Sequence, residues 1–359
     1  MASNIIGIMS GSSLDGLDMA LCRFDEIDSN VEWSIVASKT VPFPPFISDA
    51  LRSAPSLSGW DLMHLDSRFG RFIGKETQAW MNSHSLKADL IASHGHTVFH
   101  EPSRGFTLQI GCGANIAFES GIDTITSFRS ADIAAGGQGA PFAPIADKAL
   151  FPGYQAYLNL GGIANITILT PDERWKAWDI GPCNQALNHL AMKAGQPYDA
   201  DGKLAASGVV LKPVVDALLS MFPYNGGQPK GLSNAEVQSS WIKYLNESDE
   251  STINLLASVT EAIALLIHDH LQLFKGVAIK ILVTGGGAHN TLLINRLNSL
   301  SATEHFTLHL PSSEIIDYKE CLLMAWLGHL TALGRSYGIA EVSGASRDTI
   351  GGALYKATR

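Results

Sequence analysis

Three glycine-rich segments carry the side chains best suited to chemistry: Gly7-Ile8-Met9-Ser10-Gly11-Ser12-Ser13, Leu158-Asn159-Leu160-Gly161-Gly162-Ile163-Ala164-Asn165 and Val283-Thr284-Gly285-Gly286-Gly287-Ala288-His289-Asn290. Each adjoins a β-branched or aliphatic run and is rich in small hydroxyl or amide side chains. Glycine lets a backbone approach phosphate oxygens and leaves N–H groups to bind them. Three such segments at wide spacing point to two similar lobes closing on ATP. In that arrangement Ser10, Gly11, Ser12 and Ser13 wrap the β- and γ-phosphates. Gly161, Gly162 and Asn165 close from the other lobe, and Gly285, Gly286 and Gly287 offer the adenosine a flat backbone face at a helix start. Singly, each segment also reads as a tight turn.

Asp179, in Trp178-Asp179-Ile180-Gly181-Pro182, ends an apolar strand and precedes a helix. A carboxylate there can accept a proton from a hydroxyl or water attacking a γ-phosphate, or it can cap the helix. Asp15 and Asp18 lie just past the first loop and suit either Mg2+ held through water or a turn cap. His94-Gly95-His96 with His100-Glu101 has metal-ligand spacing, and histidines at i and i+2 of a strand share a face. No second cluster completes a tetrahedral set, and a sugar-facing polar pair is an equal reading. Arg129 and Asp132 suit polar or anionic substrate groups, or a surface ion pair. The chain lacks G-x-x-x-x-G-K-[ST], H-R-D and D-F-G, and Gly111-Cys112-Gly113 lacks the third glycine of a dinucleotide fingerprint. A P-loop is thereby excluded, the protein-kinase set is missing, and a Rossmann reading is poor.

The elements that must position these groups follow from the hydrophobic pattern. Residues 4–9, 19–24 and 32–41 predict three strands, 60–84 a long helix, 90–93 and 107–110 short strands, and 128–144 a crossover near a hinge. The pattern then restarts, with strands at 156–160, 165–169 and 176–180 and a helix at 183–193. A helix at 252–274, a buried strand at 280–284 and helices at 292–300 and 320–333 complete it. Three strands and a helix, given twice, predict a duplicated α/β unit. A chain of 359 residues suits two domains, and 46% apolar against 16% charged residues marks a well-buried globular enzyme. The net charge of −9 argues against a nucleic-acid partner. Cys22, Cys112, Cys183 and Cys321 show no C-x-x-C spacing and read as reduced thiols. With no secretory pattern at the N-terminus and no apolar run of about 18 residues, no membrane partner and a cytoplasmic location are expected.

Gly-Ile-Met-Ser-Gly-Ser-Ser-Leu-Asp-Gly-Leu-Asp at 7–18 resembles the opening motif of the anhydro-N-acetylmuramic acid kinases. So do the segments at 92–97, Phe128-Arg129 with Asp132, 136–141, 159–165, 284–290 and Lys319-Glu320, in order along nearly the whole chain. The resemblance implies a two-domain actin-like fold, each lobe a mixed sheet flanked by helices with ATP in the interlobe cleft, and a homodimer. The lobes are expected at residues 1–128 with 340–359, and at 129–339. It implies phosphorylation of a 1,6-anhydro amino sugar at O6 while water opens the anhydro bridge, giving N-acetylmuramic acid 6-phosphate in peptidoglycan recycling. A levoglucosan-type kinase and a catalytically weak binding paralogue are the alternatives. By the same resemblance Asp179 is the general base that activates the water. His94, Thr97, Arg129 and Asp132 face the sugar, Asn290 belongs to the nucleotide site, and Glu320 and Asp15 serve Mg2+. The chain departs from the family pattern at Ser127, His96, Cys183 and Asn188. It departs most at Pro229-Lys230-Gly231-Leu232-Ser233-Asn234-Ala235-Glu236, where the family's Pro-Lys-Ser-Thr-Gly-Arg-Glu arginine is missing.

Overall fold

Apolar runs bounded by glycine and proline seed two sheets. The computed structural model describes residues 3–11, 14, 16–27, 30–170, 174–223, 231–274, 277–301 and 306–357. The strands are β1 (Ser3–Ser10), β2 (Gly16–Ile27), β3 (Asn30–Pro42), β4 (Leu90–Ser93), β5 (His96–Glu101), β6 (Phe106–Ile110) and β7 (Thr124–Thr126). They continue as β8 (Ala156–Leu160), β9 (Ile163–Leu169), β10 (Trp175–Pro182), β11 (Ile279–Thr284), β12 (Phe306–His309) and β13 (Ala353–Tyr355). The helices that matter here are α1 (Gly59–His84), α2 (Gly113–Ser120), α3 (Ala143–Leu150), α4 (Asn184–Lys193), α5 (Thr252–Leu271), α6 (Thr291–Ser301) and α7 (Ser313–Ala332).

The chain forms two compact units: Met1–Pro152 with Tyr318–Arg359, and Gly153–Asp317. The first holds a sheet in the order β13-β7-β4-β1-β2-β3, the second a sheet in the order β10-β9-β8-β11-β12. In both, the first three strands form an antiparallel meander and the next two add in parallel beside the first. Counted within each unit's sheet, the common order is third, second, first, fourth, fifth. This is the duplicated actin-like architecture, and the repeat expected from the sequence is a repeat of topology.

The unit boundaries differ from those expected. Residues 129–152 and 318–339, assigned from the sequence to the second lobe, pack with the first unit. The 128–144 segment is no linker either: Gln138 N–H donates to the Ser343 carbonyl (2.9 Å) and Ser343 Oγ to Asp132 Oδ1 (2.7 Å), which ties it to the C-terminal region. The chain passes between units at Pro152/Gly153 and at Asp317/Tyr318. The second crossing falls within α7, where Tyr318 has non-helical angles (φ −115°, ψ 16°).

Each unit has its own core. In the first, Ile6, Ile8, Leu17 and Met19 of the sheet meet Phe69, Ile73 and Trp80 of α1. The helix is capped by Ser58, which accepts from Asp61 N–H (3.1 Å), and closes at Ser85 with φ 53°. In the second, α5 packs Leu256, Val259, Ile263 and Ile267 among Leu158, Ile166, Ile281 and Val283. The expectation that no segment is long and apolar enough to cross a membrane is corrected here. The stretch Thr252–Phe274 meets that test by length and composition, and most of it is buried within the protein. A helix apolar on most sides is what a core position requires.

Candidate functional site

The first unit gathers one set of polar groups at the end of β1. Ser10 is buried, with Oγ 3.3 Å from His96 Nδ1. Gly11 follows it, whereas Ser12, Ser13 and Asp15 lie outside the described residues. His94 and His96 do not share a strand face as expected. Gly95 adopts φ +74°, a left-handed turn that ends the alternation, and a Cβ there would lie 2.4 Å from the Ile110 carbonyl oxygen. The two rings consequently have separate partners. Among the described residues no three of His, Cys, Asp and Glu gather as a metal set.

His94 is buried against Arg129. Its Nδ1 lies 2.9 Å from the Gly95 carbonyl, which can only accept, so Nδ1 carries the proton. Its Nε2 then accepts from Arg129 Nε–H at 2.9 Å. Burial, and next the Arg129 charge, push the imidazole down to about 3, so it stays neutral. Arg129 Nη1 donates to the Gly139 carbonyl (2.6 Å), and its guanidinium lies 5.0 Å from the Phe142 ring centroid. Burial lowers the guanidinium to about 10, still cationic at neutral pH, with Glu320 acting the other way. Two of its donors are thus fixed, which leaves Nη2 as the donor end for a ligand.

Asp132 faces inward. Its Oδ2 accepts from Gly139 N–H (2.7 Å), its Oδ1 from Ser343 Oγ (2.7 Å), and the residue is 1% exposed. The carboxylate holds the Gly139 turn that in turn holds Arg129. Thr97 is exposed at a register shift of the β5–β6 hairpin, with Oγ1 3.4 Å from Gln109 Nε2. Thr97 is therefore near His94 in sequence but outside the His94–Arg129–Asp132 network.

Glu320 sits two residues past the break in α7. Lys319 beside it forms an ion pair with the buried Asp147 of α3 and lies 5.7 Å from the Phe151 ring centroid, which anchors that turn. Glu320 keeps open surface, yet its carboxyl is raised, first by poor solvation and then by Asp18. Arg129 and Lys319 oppose that shift. Asp18 also accepts from Thr40 Oγ1. Such close approach of β1 and α7 depends on Gly7, where a Cβ would lie 1.8 Å from the Cys321 carbonyl oxygen.

The second unit gathers the other set. Gly161-Gly162 is the turn between β8 and β9, and the first N–H groups of α4 dock on it. Cys183 and Gln185 donate to the Gly162 carbonyl (3.0 and 3.1 Å) and Asn184 donates to Gly161 (3.1 Å). The 285–289 turn stacks on the same hairpin. Gly285 has φ +83°, and a Cβ there would lie 2.4 Å from Asn159 Oδ1, while one at Gly287 would lie 2.8 Å from Leu160 Cβ. Gly286 by contrast has nothing nearer than 3.6 Å. Asn290 serves the fold: its Oδ1 accepts from Leu293 N–H at 3.1 Å, at the start of α6.

Asp179 stands on β10 at a bulge. It is not a helix cap, since the N-cap position of α4 is Cys183. Register places Thr284, Asn159, Asn165 and Asp179 in one row across four neighbouring strands. Asp179 Oδ2 accepts from Leu232 N–H at 2.7 Å. Its carboxyl is raised, first by burial, and further by Glu236, while the Leu232 bond opposes the shift. Cys183, where the family pattern has glycine, is fully buried, and burial pushes its thiol up to about 12, which makes it inert.

Three groups here escaped the sequence reading: Asn159, Gln185 and the Leu232 amide. Asn159 was visible as the lone polar residue in Leu158-Asn159-Leu160. Ser233-Asn234-Ala235-Glu236 also carried the S-x-x-E signature of a helix start. A backbone amide carries no sequence signal of its own.

The family model described as anhydro-N-acetylmuramic acid kinase matches residues 3–357. A protein of that name from Pseudomonas syringae pv. syringae is 32% identical over 370 residues, spanning 98% of this chain and 99% of its own. One from Xanthomonas axonopodis pv. citri is 32% identical over 366 residues, with 98% of each chain covered. Among solved structures, a ROK hexokinase from Thermus thermophilus aligns over 92% of this chain and 100% of its own, at 10% identity and a TM-score of 0.42. A xylulose kinase from Rhodospirillum rubrum aligns over 100% of this chain and 94% of its own, at 12% identity and a TM-score of 0.43.

Proposed function

Because the chain belongs to the anhydro-N-acetylmuramic acid kinase family, we propose that it phosphorylates O6 of 1,6-anhydro-N-acetylmuramic acid with ATP while water opens the anhydro bridge. The observation that carries this reading is the Asp179 carboxylate: part-exposed on a bulged strand, one oxygen held, and its carboxyl above the ordinary 3.8. A carboxylate of raised basicity is what general-base activation of water requires.

Asp179 takes a proton from the water whose oxygen attacks C1 of the sugar. The C1–O6 bond breaks, its electrons pass to O6, and O6 takes the γ-phosphoryl group as ADP leaves. Sugar, ATP and one water thus give N-acetylmuramic acid 6-phosphate and ADP. Ser10, Gly11 and the glycine turns at 161–162 and 285–287 bind the nucleotide, and Arg129 with His94 orients the sugar. The raised Glu320 carboxyl beside Asp18 forms a like-charge pair that a divalent cation would relieve, so these residues fit Mg2+. When bound, that ion neutralises phosphate charge. Ser12, Ser13 and Asp15 join the phosphate and metal groups in this proposal, as do Asp132 as a support of Arg129 and Thr97 at the sugar. A homodimer and a cytoplasmic place in recycling peptidoglycan fragments belong to it as well. The free cysteines, three of them buried, suit a reducing compartment.

The test is ADP release by the purified protein with MgATP and the anhydrosugar, with mass detection of the product. A gain of one phosphate and one water is expected. A gain of phosphate alone, or turnover only with levoglucosan, would overturn the reading.

Arg129→Lys tests the sugar contact. Lysine keeps the charge but cannot reproduce both the Nε bond to His94 and the Nη1 bond to Gly139. KM for the sugar is expected to rise by about tenfold or more, with a fall in melting temperature because a buried acceptor is left unpaired. An unchanged KM would remove Arg129 from the sugar site.

A further inference from the structure

We propose that the Leu232 amide, presented by the Ser233–Glu236 capping box, orients Asp179 so that Oδ1 is the oxygen that receives the proton. Ser233 and Glu236 are then positioning residues for the base. This rests on the assignment of Asp179 as that base.

The geometry runs outward from the carboxylate. Oδ2 is occupied by Leu232 N–H at 2.7 Å, which fixes the plane of the group and leaves Oδ1 for the water. Leu232 lies one residue before Ser233, the N-cap of a short helix, Asn234–Val237, and gains its order from that cap. Ser233 N–H and Oγ both donate to Glu236 Oε2 (2.8 and 2.9 Å), and Glu236 N–H donates back to Ser233 Oγ (3.2 Å). A second tether reaches the glycine hairpin. Gln185 Nε2 donates to Asn234 Oδ1 (2.7 Å), and Gln185 N–H to the Gly162 carbonyl (3.1 Å). The base and the hairpin are thus registered through one short run of residues.

A neutral amide suits this task better than a cation. A guanidinium against Asp179 would stabilise its charged form strongly and leave a poor base. An amide holds the oxygen with a smaller loss of basicity, and Asp179 stays raised despite the bond. Among the described residues, the charge that acts on it is that of Glu236, which raises it further. From α5, packed on β10, His270 accepts from Trp178 Nε1 (2.8 Å), and burial pushes it down to about 4, so it stays neutral. From β9 the register partner is Asn165, also neutral.

Two variants move the base in opposite directions. Ser233→Ala breaks the box and loosens the Leu232 bond. The acid limb of kcat/KM, which reports the free base, should then move up by about half a pH unit, with kcat down about threefold. Ser233→Thr, which can still cap, should restore both. Glu236→Gln keeps the accepted bonds but removes the like charge, so the acid limb should move down. A merely structural role would lower the melting temperature and leave the limb in place. Limbs that stay at the wild-type position, or move the same way in both variants, overturn the proposal. Asp179→Asn separates the two ideas. If it is inactive and the limbs do not move, the positioning role fails while the base stands. If it is active, the base assignment fails.

Discussion

Asp179→Asn is expected to lower kcat by about 10^2- to 10^4-fold, the usual contribution of a general base, while the protein still binds the anhydrosugar and MgATP. Asparagine matches aspartate in shape, and its Oδ1 can still accept the Leu232 N–H that now reaches Asp179 Oδ2. It cannot take a proton from water. The loss therefore falls on the transition state and not on ground-state binding. Titration calorimetry with sugar and with MgATP, beside single-turnover rates, reads the two separately. A mutant that kept a tenth of wild-type kcat would show that another group activates the water. The same chemistry sets the pH response: the base works when ionised, so activity falls as pH drops through a pKa raised above 3.8 by burial and Glu236.

Gly7→Ala is expected to be the most damaging single methyl group in the first unit. Its Cβ would lie 1.8 Å from the Cys321 carbonyl oxygen and 2.9 Å from Ala325 N, both backbone atoms of α7. No rotamer relieves such a clash, so β1 and α7 must separate. Overpacking of this kind costs about 3 kcal/mol, which lowers the melting temperature of a unit this size by roughly 6–12 °C. Because Glu320 precedes Cys321 and Ser10 ends β1, the variant should also raise KM for MgATP. Gly59→Ala is the control, as nothing lies within 4 Å of a Cβ there. If Gly7→Ala melted with that control, the tight β1–α7 approach would not exist in solution.

Legibility in the sequence followed the range of the interactions involved. The strands at 90–93 and 156–160 were read at their observed limits and the 60–84 helix within one residue, because the patterning and caps that define them are local. β5 was missed because His96, His100 and Glu101 hide its alternation. β13 pairs with β7 across more than two hundred residues and has three residues of its own. The same division holds for the candidate site. Ser10, Asp179 and the three glycine segments stood out by residue type. The burial of Asp132 did not, since it depends on Ser343, a partner brought by the fold; the cap at Asn290 is local, three residues from its donor, and was passed over because the glycines before it suggested a nucleotide role. The 231–236 segment reads as a loss when compared by side chain. Its contribution here is a backbone N–H, which any residue but proline could supply.

That N–H has a spectroscopic use. An amide proton bonded to a carboxylate senses directly whether the carboxylate is charged, so the Leu232 resonance titrates with Asp179. One isotope-labelled leucine amide would report the ionisation of the base with no substrate present. It would do so equally in variants that no longer turn over.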